Sequence, residues 1–129
     1  MKRSSFLLIA AILSFVFGAM MFFIPALAAE LLGIAVTPET ASVLRGMGGL
    51  IIGSGTINFL VHNFTDIPTL KAVLLTNIIT HLLGLIADIW GILDGALTIS
   101  KMLPVEITHI FVGAGSLIYL LRLKKASEI

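Results

Sequence analysis

The sequence predicts an all-α integral membrane protein, a four-helix bundle folded as one transmembrane domain over residues 1–129. Two observations predict it. Apolar residues make up 58% of the chain and charged residues 12%, whereas soluble domains are about half apolar and about a quarter charged. The charges are also clustered, leaving uncharged stretches at 4–29, 46–65, 72–87 and 107–121, each near the ~20 residues that cross a hydrocarbon core. Spans at about 6–27, 41–61, 70–93 and 105–121 follow. The two shorter stretches reach spanning length only with Asp88 and Glu106 at or inside the membrane boundary, which singles out those two carboxylates. With no cysteine there is no disulfide framework, thiolate nucleophile or iron–sulfur site, and a net charge of +1 offers no basic surface for nucleic acid.

The first span follows Lys2-Arg3. With Ala26-Leu27-Ala28 it resembles a secretory signal peptide, but its apolar run, 6–23, exceeds the ~7–15 residues of a usual signal core, so it reads as a retained helix. Pro25 and Gly33 end it, and the connection over 28–40 is apolar enough to lie as one or two helical turns among the headgroups. The second span carries Gly46, Gly48, Gly49, Gly53 and Gly55, and the Gly49-x-x-x-Gly53 spacing makes a flat face for another helix. Gly113 and Gly115 suit the fourth span to the same use. Packing inside the bundle is the first expectation for Gly46, Gly49, Gly53 and Gly113, and the alternatives are contact with a second copy, giving a homo-oligomer, and a thin-walled ligand cavity. Pro68 precedes the third span, Gly95 follows it and Pro104 opens the fourth. Trp90, Tyr119 and His62 fall at interfacial depths.

Lys2, Arg3, Lys71, Arg122, Lys124 and Lys125 lie on one side against Asp66 and Glu128. Arg45 and Lys101 lie on the other against Glu30, Glu39, Asp88, Asp94 and Glu106. The positive-inside rule then predicts an up-down-up-down chain with both termini cytoplasmic.

The third span contains the most informative spacing. Asn77, His81, Gly84 and Asp88 follow one another by four, three and four residues, a polar stripe on one helical face. A carboxylate at the centre of a span costs roughly 2.5–3.5 kcal/mol on insertion scales, so Asp88 needs a partner or water. Arg45 and His109 are at a similar expected depth. An Arg45–Asp88 salt bridge would offset two unfavourable helix-dipole positions and set register. Alternatively, Arg45, Asp88 and His109 line an outward-facing ligand pocket in which Arg45 holds an anionic head.

Glu106, two residues after Pro104, is expected to cap the fourth helix. Glu106-Ile107-Thr108-His109 has the Glu-x-x-His spacing of carboxylate-bridged metal bundles, but the second copy and further glutamates of such a site are missing. His81 and His109 are expected to differ in depth by about 10 Å, which argues against one haem between them. No cofactor and no metal are therefore assigned, and no catalytic set of residues stands at one depth.

The order Pro25, Leu32-Gly33-Ile34, Leu44-Arg45-Gly46-Met47-Gly48-Gly49, His81-Leu82-Leu83-Gly84, Asp88 and Asp94-Gly95 resembles small bacterial four-helix membrane proteins of the DUF4345 type within the DoxX-like grouping. The resemblance spans nearly the whole chain and implies the same four-helix fold. The cysteine-based redox chemistry of some DoxX-like proteins has no counterpart residue here, and a more distant likeness to sterol- and drug-binding four-helix proteins implies a hydrophobic ligand.

The leading functional expectation is a membrane protein that takes an amphipathic or lipid-like small molecule between the second, third and fourth helices. Arg45, Asp88, His109, His81 and Asn77 are the candidate ligand-binding residues. One alternative is a structural or accessory subunit acting through helix association. Another is a small transporter or proton-linked channel along Asn77, His81 and Asp88. An enzyme comes last.

Overall fold

The computed structural model describes residues 1–126, with side chains as far as Leu123. Lys124, Lys125 and Glu128, counted above for charge bias, lie outside the described side chains. Among the described residues the regular structure is all helical: α1 (Arg3–Phe23), α2 (Pro25–Leu32), α3 (Pro38–Val61), α4 (Ile67–Leu93) and α5 (Ile99–Ala126). α1, α3, α4 and the Ile99–Leu123 part of α5 are each long and apolar enough to cross a membrane.

The boundaries follow from local chemistry. α1 stops at Phe23 rather than 27 because Ile24 turns out of helical geometry, φ −130° and ψ 57°, ahead of Pro25 at the first position of α2. α2 realises the helical turns expected in the connection and closes on Gly33 at φ 74°, a left-handed conformation that favours glycine. α3 begins three residues earlier than expected, since the Thr37 hydroxyl accepts from Thr40 N–H at 3.1 Å and Pro38 fits the first turn. Asp66 caps α4 in the same way, accepting from Thr69 N–H at 2.9 Å.

The largest departure is at α5, which begins at Ile99 rather than 105 and carries Pro104 inside it. A proline this near the start removes one intrahelical bond without ending the helix. Tertiary contacts hold the extra turns: Met102 is buried in a cluster with Met21, Ala28, Ala29, Leu32 and Leu44, and Thr98 carbonyl accepts from the Lys101 and Met102 N–H groups. Glu106 is therefore two turns inside the helix and caps nothing.

α1 and α3 run antiparallel in close contact. A Cβ on Gly48 would lie 2.7 Å from the Gly18 carbonyl oxygen and 2.7 Å from the Phe22 nitrogen, and one on Gly55 would lie 2.9 Å from Ser14 Cβ. α4 and α5 also run antiparallel, with Gly84 against His109 and Gly113 against His81. Gly115 sits under the Phe6 ring and joins α5 to α1. The expected glycine faces are thus redistributed. Gly49 makes only an ordinary 3.9 Å contact with Phe22, and a Cβ at Gly46 or Gly53 would meet none of the described atoms within 4 Å. Among glycines within the helices, the close approaches to another helix are at Gly18, Gly48, Gly55, Gly84, Gly113 and Gly115, where an added Cβ would come within 3.4 Å of it.

Two buried apolar clusters close the bundle. Phe6, Leu7, Ala10, Val61, Leu70, Val73, Leu74 and Val112 pack at one end, and the Met21–Met102 cluster packs at the other. At the Phe6 end, the Tyr119 hydroxyl donates to Met1 carbonyl at 2.7 Å and the Arg3 guanidinium donates to Phe64 carbonyl.

Candidate functional site

The α4 stripe gathers on a single residue of α5. His109 Nδ1 is 2.8 Å from His81 Nδ1, and its Nε2 is 3.4 Å from Asp88 Oδ2. Gly84 lies between them in sequence, where an added Cβ would be 2.5 Å from His109 Cε1, so the missing side chain is what lets the imidazole lie against α4. The two rings meet edge-to-face with centroids 5.1 Å apart.

This arrangement corrects two expectations. Asp88 takes His109 as its partner, and Arg45 is an exposed residue of α3 that forms no ion pair within 4.0 Å among the described residues. The expected 10 Å offset between the histidines disappears because α5 starts six residues early: His81 is twelve residues from the end of α4 and His109 ten from the start of α5, a depth difference of about 3 Å. Glu106, one turn before His109, has both carboxyl oxygens shielded and without a hydrogen-bond partner among the described residues, with Asp88 and His109 as its titratable neighbours. Among the described residues, no group of three or more His, Cys, Asp and Glu side chains is arranged to hold a metal ion.

Asn77, the fourth member of the stripe, turns to α3 instead. Asn58 Nδ2 donates to Asn77 Oδ1 at 3.1 Å and Asn77 Nδ2 donates to Asn58 Oδ1 at 2.8 Å, a reciprocal amide pair buried at 2% and 3% exposure. Asn58 was not anticipated. Its signal was an amide within an apolar span, where an unpaired polar group is costly and a cross-helix partner is expected.

The Asn pair and the His pair border a cavity of about 690 Å³ between the two apolar clusters, walled by α1, α3, α4 and α5. Leu13, Phe17, Met21, Leu50, Ile51 and Ile57 supply much of its apolar wall. Leu50, Gly53 and Ile57 of α3 and Ala72, Thr76 and Thr80 of α4 line it and are themselves exposed, so it opens sideways between α3 and α4. Gly53, empty of helix contacts, borders this opening. The expected site therefore divides: His81, His109 and Asn77 line the cavity, Asp88 stands behind His109, and Arg45 is not among the lining residues.

Comparison of the chain with protein-family models, with curated proteins and with solved structures finds no match.

Proposed function

We propose that this is a multi-pass membrane protein that binds an apolar small molecule in the cavity between its two antiparallel helix pairs. The observation that carries the reading is the cavity itself. Its volume of about 690 Å³ lies within the ~300–1,000 Å³ of typical small-molecule sites, and such sites combine an apolar wall with a few convergent polar groups. The side opening between α3 and α4 is bordered by Leu50, which is 79% exposed and belongs against lipid rather than water. A ligand would thus enter from the bilayer, with membrane lipid as the competing occupant.

The accompanying topology is up-down-up-down with cytoplasmic termini in a bacterial inner membrane. The clustering of Lys2, Arg3, Lys71 and Arg122 toward one end supports it, and membership of the DUF4345/DoxX-like grouping belongs to the same reading. The second reading, a subunit acting through helix association, is favoured by Gly46 and Gly53, which leave open backbone on α3.

Native mass spectrometry of the protein released from mild detergent separates the two. Cavity binding predicts a discrete small-molecule adduct on the wild-type chain that is lost in Gly53→Phe, whose ring would occupy the opening. A bare oligomer, broken into monomers by Gly46→Leu, would establish the association reading instead.

A further inference from the structure

The hydrogen-bonding polarity of the cavity wall narrows the ligand, given the binding reading above. A neutral imidazole carries one N–H donor and one bare acceptor nitrogen, and the partner of each nitrogen decides which is which. Asp88 Oδ2 lies 3.4 Å from His109 Nε2, with the Glu106 carboxyl also near that ring. A carboxylate accepts only, and the negative field at this side favours an N–H on Nε2 over a lone pair. His109 Nδ1 is then bare, and at 2.8 Å it accepts from His81 Nδ1–H. His81 has spent its one proton on that bond. Its Nε2 is left as an acceptor on a ring that lines the cavity, with no hydrogen-bond partner among the described residues.

Three hydroxyls of the wall have the same polarity, whereas the Ser54 and Thr80 hydroxyls and the second Asn77 Nδ2 hydrogen have no acceptor among the described residues. The hydroxyls of Ser14, Thr76 and Thr108 donate to the carbonyls of Ala10, Ala72 and Pro104 one turn earlier, at 3.0, 2.9 and 2.9 Å, and so keep only acceptor capacity. Asn58 Nδ2 gives its two hydrogens to Ser54 carbonyl and Asn77 Oδ1. Among the described residues the lining includes no Lys, Arg, Asp or Glu, so a charged headgroup would find no carboxylate, ammonium or guanidinium there.

We propose that the cavity selects a neutral, hydroxyl-bearing apolar molecule, of the class of long-chain alcohols and alkylphenols, whose O–H donates to His81 Nε2. Asp88 acts as a positioning residue: through His109 it holds the His81 proton on Nδ1 and so keeps Nε2 free to accept.

The test compares 4-nonylphenol with its methyl ether, 4-nonylanisole, which has nearly the same shape but no donor. Titrated against the purified full-length protein and read by native mass spectrometry, the phenol is expected to be retained about tenfold more tightly, the worth of one hydrogen bond in such a site. His81→Phe is expected to reduce the phenol to the level of the ether. Asp88→Asn, whose amide can present either a donor or an acceptor to His109, is expected to erase the discrimination while leaving binding of the ether unchanged. ¹⁵N NMR of histidine-labelled wild-type protein should show His81 Nε2 without a proton, and Asp88→Asn should shift that signal. Equal retention of the two probes by the wild-type protein would overturn the hydroxyl assignment and leave the cavity reading standing. Retention of neither probe would overturn both.

Discussion

The α1–α3 pair and the α4–α5 pair are both antiparallel and both use glycine, yet the glycines do different work. Between α1 and α3 glycine brings backbone against backbone: the Gly48 site is bounded by the Gly18 carbonyl and the Phe22 nitrogen. Between α4 and α5 it makes room for a side chain, because Gly84 receives the His109 ring and Gly113 stands against His81. A dry backbone seam has no groups left over for chemistry. A seam that has admitted imidazoles must satisfy their nitrogens, and the satisfaction runs from Asp88 through His109 to the cavity.

This contrast can be broken from the dry side first. Gly48→Ala should give the largest loss of stability, at or above the ~1–3 kcal/mol of ordinary overpacking, since the obstructing atoms are backbone and the helices must separate. Thermal unfolding in detergent measures it, and an unchanged midpoint would mean that the close approach does not hold α1 to α3. Next is the link between the two pairs. Asn58→Leu strands the buried Asn77 amide at a cost of about 1–3 kcal/mol, and the Asn58→Leu/Asn77→Leu double variant should recover part of it, with a coupling near the ~0.6 kcal/mol typical between membrane helices.

Gly84→Ala should cost less, about 0.5–1.5 kcal/mol, because a side chain rather than a backbone yields when the His109 ring rotates. Its consequence is local: loss of the His81–His109 bond in ¹⁵N NMR with the fold retained. Preservation of that bond would show that Gly84 is not what admits the ring.

The cap at Asp66 gives a smaller, pH-dependent effect. The Thr69 hydroxyl and its N–H hold the Asp66 carboxyl below its ordinary value. A carboxyl with a lowered folded-state pKa stabilises the fold above its unfolded value, near 3.8, and that contribution fades as pH falls through the lower folded value. Asp66→Asn keeps a capping acceptor and should remove this part of the acid dependence. The same slope in both proteins would assign it elsewhere. Smallest of all is Gly53→Ala, expected to leave stability near wild type because none of the described atoms outside its own helix lies within 4 Å of the added methyl group.

How far the sequence could be read depended on the distance over which each cause acts. The polar stripe was legible because four residues on one helix share a face by local geometry alone: His81, Gly84 and Asp88 do meet one residue, and Asn77 does meet a polar partner. The partner of Asp88 was not legible. Choosing His109 over Arg45 required the start of α5, and Pro104 pointed to a start at 105. The proline rule was outweighed by Met102, whose burial with residues of α1, α2 and α3 holds the extra turns in place. The Gly49-x-x-x-Gly53 spacing likewise announced a flat face without saying whether anything lay on it.

Composition and charge spacing by themselves determined the all-helical class and the four long apolar helices, because hydrophobic length is a property of each segment alone. Capping chemistry within a few residues refined where those helices begin. Only the tertiary structure decided which glycines are crossings, which nitrogen meets which carboxylate and that a cavity lies between the two helix pairs. Those facts depend on helix rotation and depth, which are set by packing among residues far apart in the chain and leave no local periodic trace.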